Sequence, residues 1–290
     1  MKVSVVLPNH NEGENLVDTV GYVLQNSDGL DMEVIVVDDG SDDGSAEAAL
    51  ARHGTDRLWL VRGAGLGVAG ARNLGAARAR GQVLVFLDAH CYVPPGWLSP
   101  LVEAFEAEDV GMVGPVFAGI HEITVRACGI TWQDARLENT WLPPRTGISE
   151  VPFHIGACQA ISTPIFHEIG GYDEGMTRWG SEDIELCLRL WLSGYRILAQ
   201  PASLVFHLFR PRHPYAVDMS QVLYNKLRLL LVHFDRERLA RALRPMMAYA
   251  DFPHSLAQAF LDDTLSRRAC LLARRQRDMD WFCGRFGIGI

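Results

Sequence analysis

The sequence predicts an α/β fold with a mostly parallel central sheet flanked by helices, followed by a helical extension at the C-terminus. Apolar runs without polar alternation recur in the first half of the chain, for example at residues 32–37 and 83–87. Such runs are typical of strands buried on both faces of a sheet. Segments with helical periodicity separate them, and this alternation predicts right-handed βαβ units. From Tyr215 onward the chain is predicted to be nearly all helix.

The predicted elements follow one another with short connections. Strands are expected at residues 3–8, 32–37, 58–61, 83–87, 112–117, 154–162, 195–199 and 204–207. Helices are expected at residues 15–25, 46–52, 68–79, 97–106, 164–170 and 182–192. Residues 119–150 have weak periodicity, so irregular or mixed structure is expected there. Ser181 is the expected N-cap of the helix at 182–192, whose apolar residues recur at i, i+3, i+4 and i+7.

Two regions are expected, an α/β domain over residues 1–211 and a helical region over residues 212–290. The helical region is predicted to contain three segments, broken near Asp235 and at residues 251–253. Its many arginines alternate with Leu and Met, and a basic amphipathic helix can lie on an anionic membrane. We favour the alternative, in which these faces are solvated or form a dimer contact. The oligomeric state itself is not predicted.

Composition and charge exclude several functional classes. The 290 residues are 48% hydrophobic and 21% charged, as in soluble globular proteins, and the net charge of −8 argues against a nucleic-acid partner. The six cysteines form no Cys-X-X-Cys pair, so neither a zinc knuckle nor a redox motif is indicated. A reducing, cytoplasmic setting is therefore expected. We expect no signal peptide and, without a run of about 18 apolar residues, no membrane-spanning segment.

Asp88 and His90 directly follow the apolar run at residues 83–87. Residues two apart in a strand point to the same side, and ligands of α/β sheets bind beyond the carboxyl ends of the strands. A carboxylate oxygen and an imidazole nitrogen suit a divalent metal such as Mn²⁺. His207 closes a later strand and Arg210 follows it, which predicts a third ligand and a cation near phosphate. The alternatives are a plain polar loop and a core histidine.

Two further loops have more than one interpretation. Asp38 and Asp39 end the second strand, where acids can accept hydrogen bonds from a ribose or a base, although a solvated acidic turn is the alternative. The glycine-rich loop at residues 63–67 is similar to a dinucleotide-binding loop, but it follows the third strand instead of the first. We therefore discount a dehydrogenase. A loop near phosphates stays open as an interpretation, with Arg62 or Arg72 as its charge partner.

Glu182 and Asp183 form an acid pair in the first turn of a predicted helix. The helix dipole favours their ionised forms by roughly 0.3–1 kcal/mol, and an ionised Asp183 near an acceptor hydroxyl can act as a general base. Acids are also common at helix starts for structural reasons alone. Trp179 is predicted either to pack or to lie on a mobile loop over a ligand, because Gly175 and Gly180 permit hinge motion.

The order of these motifs resembles the GT-A class of nucleotide-sugar glycosyltransferases. Residues 5–12 and 37–41 are similar to the large family 2 of that class. Three further parts of the chain are similar to the polypeptide N-acetylgalactosaminyltransferases. Residues 81–91 and 96–98 resemble the segment that binds the metal in that family, residues 171–182 its acceptor-side loop, and residues 205–215 the segment with its third metal ligand. The resemblance implies that residues 1–211 are a Rossmann-like GT-A catalytic domain that uses a UDP-sugar donor.

The resemblance also implies residue roles. It implies Asp88, His90 and His207 as ligands of Mn²⁺, with Mg²⁺ as the alternative, around the donor diphosphate. The implied donor-binding residues are Pro8, Asn11, Glu12, Asp38, Asp39, Arg72, Asp88, Ala89, Trp179 and Arg210. The acceptor is expected to be a peptide, a small molecule or a glycan that offers a hydroxyl or a thiol.

The chain also departs from the polypeptide enzymes. Asp183 stands where they have Asn, whereas family 2 and the β-galactosyltransferases have Glu-Asp, with that Asp as the base of an inverting displacement. We therefore predict inverting transfer with Asp183 as the base, and Glu182 as a contact to the donor sugar or to Asp183. The alternatives are a retaining peptide Ser/Thr transferase and a binding module without turnover. The phosphate loop matches poorly at residues 63–67, and we expect neither a lectin domain nor a membrane anchor.

Overall fold

Four parallel strands form one half of the central sheet in the computed structural model, which describes residues 2–27, 29–210 and 217–290. These strands are β1 (Val3–Asn9), β2 (Met32–Asp38), β3 (Leu58–Arg62) and β4 (Val83–Leu87), in the sheet order β4-β1-β2-β3. They are connected by α1 (Glu14–Asn26), α2 (Ser45–His53) and α3 (Gly67–Arg78). All pairings among the four strands are parallel, so the predicted βαβ half of the molecule is confirmed.

The sheet continues beyond β4 with antiparallel and parallel strands. The remaining strands are β5 (Cys91–Tyr92), β6 (Val110–Gly119), β7 (Glu122–Ala127), β8 (Ile130–Trp132), β9 (Asn139–Trp141), β10 (Ser149–Glu150), β11 (Cys158–Ser162) and β12 (Arg196–His207). From β4 the order is β11-β6-β12-β10. Because β11 is antiparallel to both β4 and β6, and β6 is parallel to β12, the strands β4, β6 and β12 run in the same direction. Their carboxyl ends therefore share one edge.

Helices cover both faces of the sheet and create two separate cores. Besides the connecting helices, these are α4 (Ser99–Glu103), which continues into a 3₁₀ turn (Ala104–Glu106), α5 (Thr163–Glu168) and α6 (Glu182–Leu192). Alternate residues of β1 divide between the cores, since Val5 packs with α1 and Val6 packs with α3 and α6. Strands buried on both faces explain the uninterrupted apolar runs in the sequence.

The strand predicted at residues 154–162 is shorter than expected, since β11 begins only at Cys158. The carbonyl of His154 accepts from Gln159 Nε2 at 2.8 Å, and the N–H of Gly156 donates to Asp183 Oδ2 at 2.7 Å. Main-chain groups in this segment are thus bonded to side chains and cannot join a strand ladder. The apolar pattern alone carries no sign of this.

The two strands predicted at 195–199 and 204–207 form one continuous strand, β12. Its register is irregular between Gln200 and Leu204, where Pro201 interrupts the apolar pattern on which the prediction depends. Residues 119–150 contain the short strands β7 to β10, in agreement with the expected mixed structure.

Ser181 occupies the N-cap position that the sequence predicts, but it does not cap the helix in the usual way. Its φ of 71° lies in the left-handed region, and its side chain makes no capping hydrogen bond. α6 begins with Glu182, as predicted, and the Oε2 of Glu182 accepts from the Gly180 N–H at 2.9 Å. The turn before α6 is therefore shaped by contacts of the neighbouring polar site.

The described part of the C-terminal region holds five helices, where three segments are predicted. They are α7 (Met219–His233), α8 (Arg236–Met246), α9 (Phe252–Leu261), α10 (Thr264–Leu272) and α11 (Met279–Phe286). The expected breaks at Asp235 and near Asp251 are present, and further breaks precede Thr264 and Met279. The side chains of Asp235 and Asp278 accept hydrogen bonds from the first N–H groups of the helices they precede, so acids in this region start new helices.

Helix α7 shares a core with the sheet. Leu227 and Leu230 are fully buried in the same cluster as Phe86 of β4. The boundary predicted near Pro211 lies outside the described residues. The same holds for His213, which belongs to a segment that carries the family resemblance. Within the described ranges, no helix is long and apolar enough to cross a membrane.

Candidate active site

The carboxyl ends of β1, β4 and β12 open into a cavity of about 970 Å³. Parallel strands end at one edge of a sheet, which brings side chains from distant parts of the sequence together. The predicted site residues that line the cavity are Pro8, Glu12, Asp39, Arg72, Asp88, Ala89, His90, Trp179, Glu182, Asp183, His207 and Arg210. Two predicted donor contacts, Asn11 and Asp38, are not among its lining residues.

Asp88, His90 and His207 form a potential metal-binding group at the centre of this edge. Each offers one ligand atom, and the three atoms lie within 4.8 Å of one another. His207 Nε2 is 3.7 Å from Asp88 Oδ2, and the two imidazole rings are 4.8 Å apart between centroids. The predicted convergence of two strand ends on one point is therefore present in the structure.

The protonation states of this group suit cation binding. Burial by itself raises the pKa of Asp88, but the His207 imidazole and the Arg72 charge outweigh it, so the pKa of this carboxyl lies well below its ordinary value. Burial lowers the pKa of His207, and Asp88 offsets this only in part. The result is an ionised carboxylate next to a neutral imidazole, and both are the forms that bind metals.

Glu12 connects His90 to Arg210. Its Oε1 lies 3.2 Å from both His90 Nδ1 and Arg210 Nη1, and its other oxygen pairs with Arg210 Nη2. His90 Nδ1 makes no hydrogen bond within the described residues, so its contact with Glu12 is electrostatic. Burial raises the pKa of Glu12, but His90 and Arg210 lower it overall. An ionised Glu12 facing Nδ1 favours a proton there, which leaves Nε2 as the ligand atom.

Arg72 is buried and joins the two acidic parts of the site. Its Nη1 donates to Glu182 Oε1 at 2.9 Å, and its Nη2 donates to Asp88 Oδ1 at 3.0 Å and to the Gly156 carbonyl at 2.9 Å. Burial lowers the pKa of Arg72, but Tyr172 and the negative charges of Asp88 and Glu182 raise it overall. Both terminal nitrogens thus have protein partners, and the contact with phosphate that the sequence predicts for Arg72 stays a prediction.

Gly156 is required by this arrangement. A Cβ atom at this position would lie 2.7 Å from Arg72 Nη2. Its N–H donates to Asp183 Oδ2 while its carbonyl accepts from Arg72, so one peptide segment holds both charged side chains. Residue type and spacing predict no role for this glycine, since its neighbours in the site come from other parts of the chain.

Asp183 lies in the cavity lining with both carboxylate oxygens engaged. Oδ2 accepts from the Gly156 N–H at 2.7 Å and Oδ1 from the Ile184 N–H at 2.8 Å. Burial, followed by the charge of Glu182, raises the pKa of Asp183 to about 7. An acid with this pKa is half ionised near neutrality, which is the range of an effective general base.

The glycine-rich loop is organised around Asp39. The Asp39 carboxylate accepts hydrogen bonds from the N–H groups of Gly65, Leu66 and Gly67 at 2.8–2.9 Å. A Cβ on Gly63 would lie 2.4 Å from Asp39 Oδ1, which explains why a small residue stands there. Because these amides bind a carboxylate of the chain itself, they are not available to cradle a phosphate.

Asp38 and Asn11 contribute to the framework next to the cavity. Asp38 is buried, accepts from Asn9 Nδ2 at 3.0 Å and pairs with Arg62. Asn11 adopts a φ of 57°, and its Oδ1 accepts from the Asp42 N–H at 2.9 Å. The structure thus joins the two polar loops after β1 and β2, and the donor contacts predicted for these side chains stay predictions.

Several residues of the cavity lining escape prediction from the sequence. Aromatic side chains come from β8 and β9, namely Trp132 and Trp141. Helix α7 contributes polar and apolar residues, among them Gln221, Val222 and Lys226. None of these residues carries a local motif, because elements that are distant in the sequence bring them to the cavity.

Comparison with known proteins shows the family to which the chain belongs. Residues 4–170 match the sequence pattern described as glycosyl transferase family 2. The chain belongs to glycosyl transferase family 2. In this family 2 chain, residues 149–214 also match the pattern described as the N-terminal domain of galactosyltransferase.

Similarity to relatives extends over most of the chain. The family 2 chain is 34% identical to polypeptide N-acetylgalactosaminyltransferase 12 of Mus musculus over 97% of its own length and 51% of that protein. It is 33% identical to polypeptide N-acetylgalactosaminyltransferase 11 of Xenopus tropicalis over 86% of its length and 45% of that protein. The chain thus spans about half the length of these relatives.

Solved structures confirm the predicted GT-A fold of the family 2 chain. GalNAc-T7 with UDP, GalNAc and Mn²⁺ superposes with a TM-score of 0.83 at 24% identity, over 99% of this chain and 56% of that one. TarS 1-349 of S. aureus in complex with UDP-GlcNAc superposes with a TM-score of 0.64 at 17% identity, over 94% and 84% of the two chains.

Proposed function

We propose that this family 2 chain transfers a sugar from a UDP-sugar donor to a hydroxyl of a peptide in a metal-dependent reaction. The observation that carries the proposal is the convergence of Asp88, His90 and His207 in a cavity of about 970 Å³, which is large enough for a nucleotide sugar. Relatives named polypeptide N-acetylgalactosaminyltransferase support N-acetylgalactosamine as the sugar and a peptide as the acceptor. A small molecule or a glycan is the competing acceptor class.

The three side chains fit a bound Mn²⁺. Two imidazoles and one carboxylate favour Mn²⁺ over Mg²⁺, which prefers oxygen ligands. Nδ1 of His207 is buried and has no hydrogen-bond partner among the described residues. The solved structures of GalNAc-T7 and of a Pyrobaculum calidifontis mannosyltransferase both contain Mn²⁺. The bound ion supplies Lewis-acid stabilisation of the negative charge on the departing diphosphate.

The remaining charged residues orient this group. Arg72 fixes Asp88 and leaves Oδ2 directed toward His207. Glu12 orients His90 and holds Arg210 at the cavity. Arg has five N–H donors, so Arg210 can contact Glu12 and still direct a positive charge toward the departing diphosphate. These contacts exist before the donor arrives, which reduces the reorganisation that the reaction requires.

Two versions of the proposal differ in stereochemistry. Retention of configuration comes first, because the resemblance to the polypeptide N-acetylgalactosaminyltransferases implies a retaining peptide transferase. One observation favours the inversion predicted from the sequence: Asp183 lines the cavity, and its pKa is raised to about 7 by burial and by Glu182. Inversion with Asp183 as the base is therefore the second candidate.

One reaction tests both versions. The protein is incubated with UDP-GalNAc, Mn²⁺ and a peptide with Ser and Thr, and UDP release and peptide mass are followed. The anomeric coupling constant of the glycopeptide by NMR then reports an α-linkage for retention or a β-linkage for inversion. Asp88→Ala serves as the inactive control. If the wild-type protein binds UDP and Mn²⁺ but releases no UDP from a panel of UDP-sugars, it is a binding module and not a transferase.

A reducing, cytoplasmic setting stays a prediction from the sequence. All six cysteines are free thiols, which agrees with the reducing environment expected from the sequence. The comparisons give no support to a cytoplasmic location. A peripheral membrane contact of the C-terminal helices likewise stays a disfavoured prediction.

A further inference from the structure

The loop that carries Trp179 is fastened to helix α7 by the side chain of Asn225. Asn225 Oδ1 accepts from the Thr177 N–H at 3.0 Å. Its Nδ2 donates to the carbonyls of Thr177, Trp179 and Gly180 at 2.9, 3.2 and 3.0 Å. Asn225 is 1% exposed, so water cannot easily replace these bonds. One carboxamide therefore holds both ends of the loop at residues 177–180.

The backbone of this loop requires such support. Arg178 and Ser181 have φ values of 58° and 71°, in the left-handed region. Left-handed conformations of residues other than glycine are unfavourable and persist only where the surrounding structure determines them. On the other side of the loop, the Arg178 carbonyl accepts from the Val68 N–H of α3 at 2.9 Å. The loop is thus held between α3 and α7, with Asn225 as the main side-chain contact from α7.

A continuous chain of hydrogen bonds leads from this loop to the metal-binding group. The Gly180 N–H donates to Glu182 Oε2 at 2.9 Å. The other oxygen of Glu182 accepts from Arg72, and Arg72 in turn donates to Asp88. A displacement of Gly180 therefore removes one of the bonds that orient Glu182, and through Arg72 it reaches Asp88.

We propose that Asn225 is a positioning residue of the donor site. It holds the loop at residues 177–180 in the conformation that keeps Trp179 in the cavity lining and Glu182 oriented toward Arg72. This inference rests on the proposed function, since it assumes that the cavity binds the nucleotide sugar. It also gives the C-terminal region a part in the site, because α7 supplies Asn225 in addition to the residues that line the cavity.

Arg178 makes the conformation of the loop measurable without any activity. Its side chain is exposed, and trypsin cleaves after arginine only where the backbone can leave its folded conformation. Asn225→Asp keeps the side-chain size and the bond from the Thr177 N–H, but it places a carboxylate oxygen against three carbonyl oxygens. We expect cleavage after Arg178, identified by fragment mass, to be about tenfold faster than in the wild type.

Binding of UDP with Mn²⁺, measured by isothermal titration, is the second measurement. We expect Asn225→Asp to weaken it about tenfold, because the loop must be reordered on binding. Arg268→Leu is the matched control, since Arg268 donates to the carbonyls of Leu231 and Phe234 at the other end of α7. This control is expected to lower the Tm without changing either measurement. Asn225→Ser, which removes the carboxamide without placing a charge at the site, replaces the Asp variant if that variant does not fold.

The outcomes separate the two claims. If the Asn225 variant is cleaved after Arg178 no faster than Arg268→Leu, Asn225 does not hold the loop and the inference is overturned. If cleavage is faster but UDP affinity is unchanged, the positioning of the donor site is overturned. If the wild-type protein does not bind UDP at all, the proposed function fails, and the cleavage rate alone still decides whether Asn225 holds the loop.

Discussion

Arg72 and Glu182 form a buried ion pair, with 2.9 Å between Nη1 and Oε1. The second terminal nitrogen of Arg72 lies 3.0 Å from Asp88 Oδ1, so one guanidinium compensates an acid from the start of α6 and an acid from the end of β4. The carboxylates of Glu182 and Asp88 share this guanidinium, and they would repel each other without the cation between them. The ion pair is therefore a condition for assembling the site.

Replacing Arg72 by Met tests this role. The change leaves Glu182 and Asp88 without their common cation, and loss of one partner from a buried ion pair typically costs about 3–5 kcal/mol. We expect the free energy of unfolding in urea to fall by roughly this amount. Arg52→Met is the matched control, because Arg52 and its partner Glu14 are 55% and 62% exposed, and about 1 kcal/mol or less is expected there. Equal losses in the two variants would contradict the role of Arg72.

Asp39→Asn tests the organisation of the glycine-rich loop. The Asp39 carboxylate accepts three backbone N–H groups, whereas an asparagine offers a single acceptor oxygen and turns an NH₂ group toward the remaining donors. Hydrogen bonds to a charged group contribute about 1.5–3 kcal/mol each, so we expect a loss of about 2 kcal/mol in urea unfolding. Asp42→Asn, at an exposed position after β2, is expected to change stability by less than about 0.5 kcal/mol. A loss as small as that in Asp39→Asn would show that the carboxylate does not organise the loop.

The sequence predicts the strand ends well because the signal is local. Apolar runs that stop at Asp88 or His207 show where buried strands meet the cavity, and the structure brings these side chains together. Contacts such as Gly156 with Arg72 or Asn225 with Gly180 depend on how distant elements pack. No periodicity records such contacts, so the sequence pattern predicts neither the contact of Asn225 with the loop at residues 177–180 nor the shortened β11.

Glu12→Gln tests the support of the metal-binding group. Glu12 faces His90 Nδ1 at 3.2 Å and pairs with Arg210. A neutral amide orients His90 more weakly, and loss of such an outer contact typically costs about 10- to 100-fold in metal affinity. We expect this weakening of Mn²⁺ binding in a titration followed by electron paramagnetic resonance. Glu14→Gln is the control, because Glu14 is 62% exposed and pairs only with Arg52 in the described structure. Unchanged Mn²⁺ affinity in Glu12→Gln would remove Glu12 from the site.

The raised pKa of Asp183 makes the stability of the folded protein depend on pH, and this dependence can be measured without a substrate. Burial, followed by the charge of Glu182, raises the pKa from 3.8 to about 7 in the folded protein. The folded state therefore favours the protonated acid, and this stabilisation is complete below the unfolded pKa and is lost as the pH rises through about 7. We expect the free energy of unfolding of the wild type to fall relative to that of Asp183→Asn between about pH 5 and about pH 8. Urea unfolding of both proteins across this range measures the difference, and a difference independent of pH would show that Asp183 is ionised throughout, with an ordinary pKa.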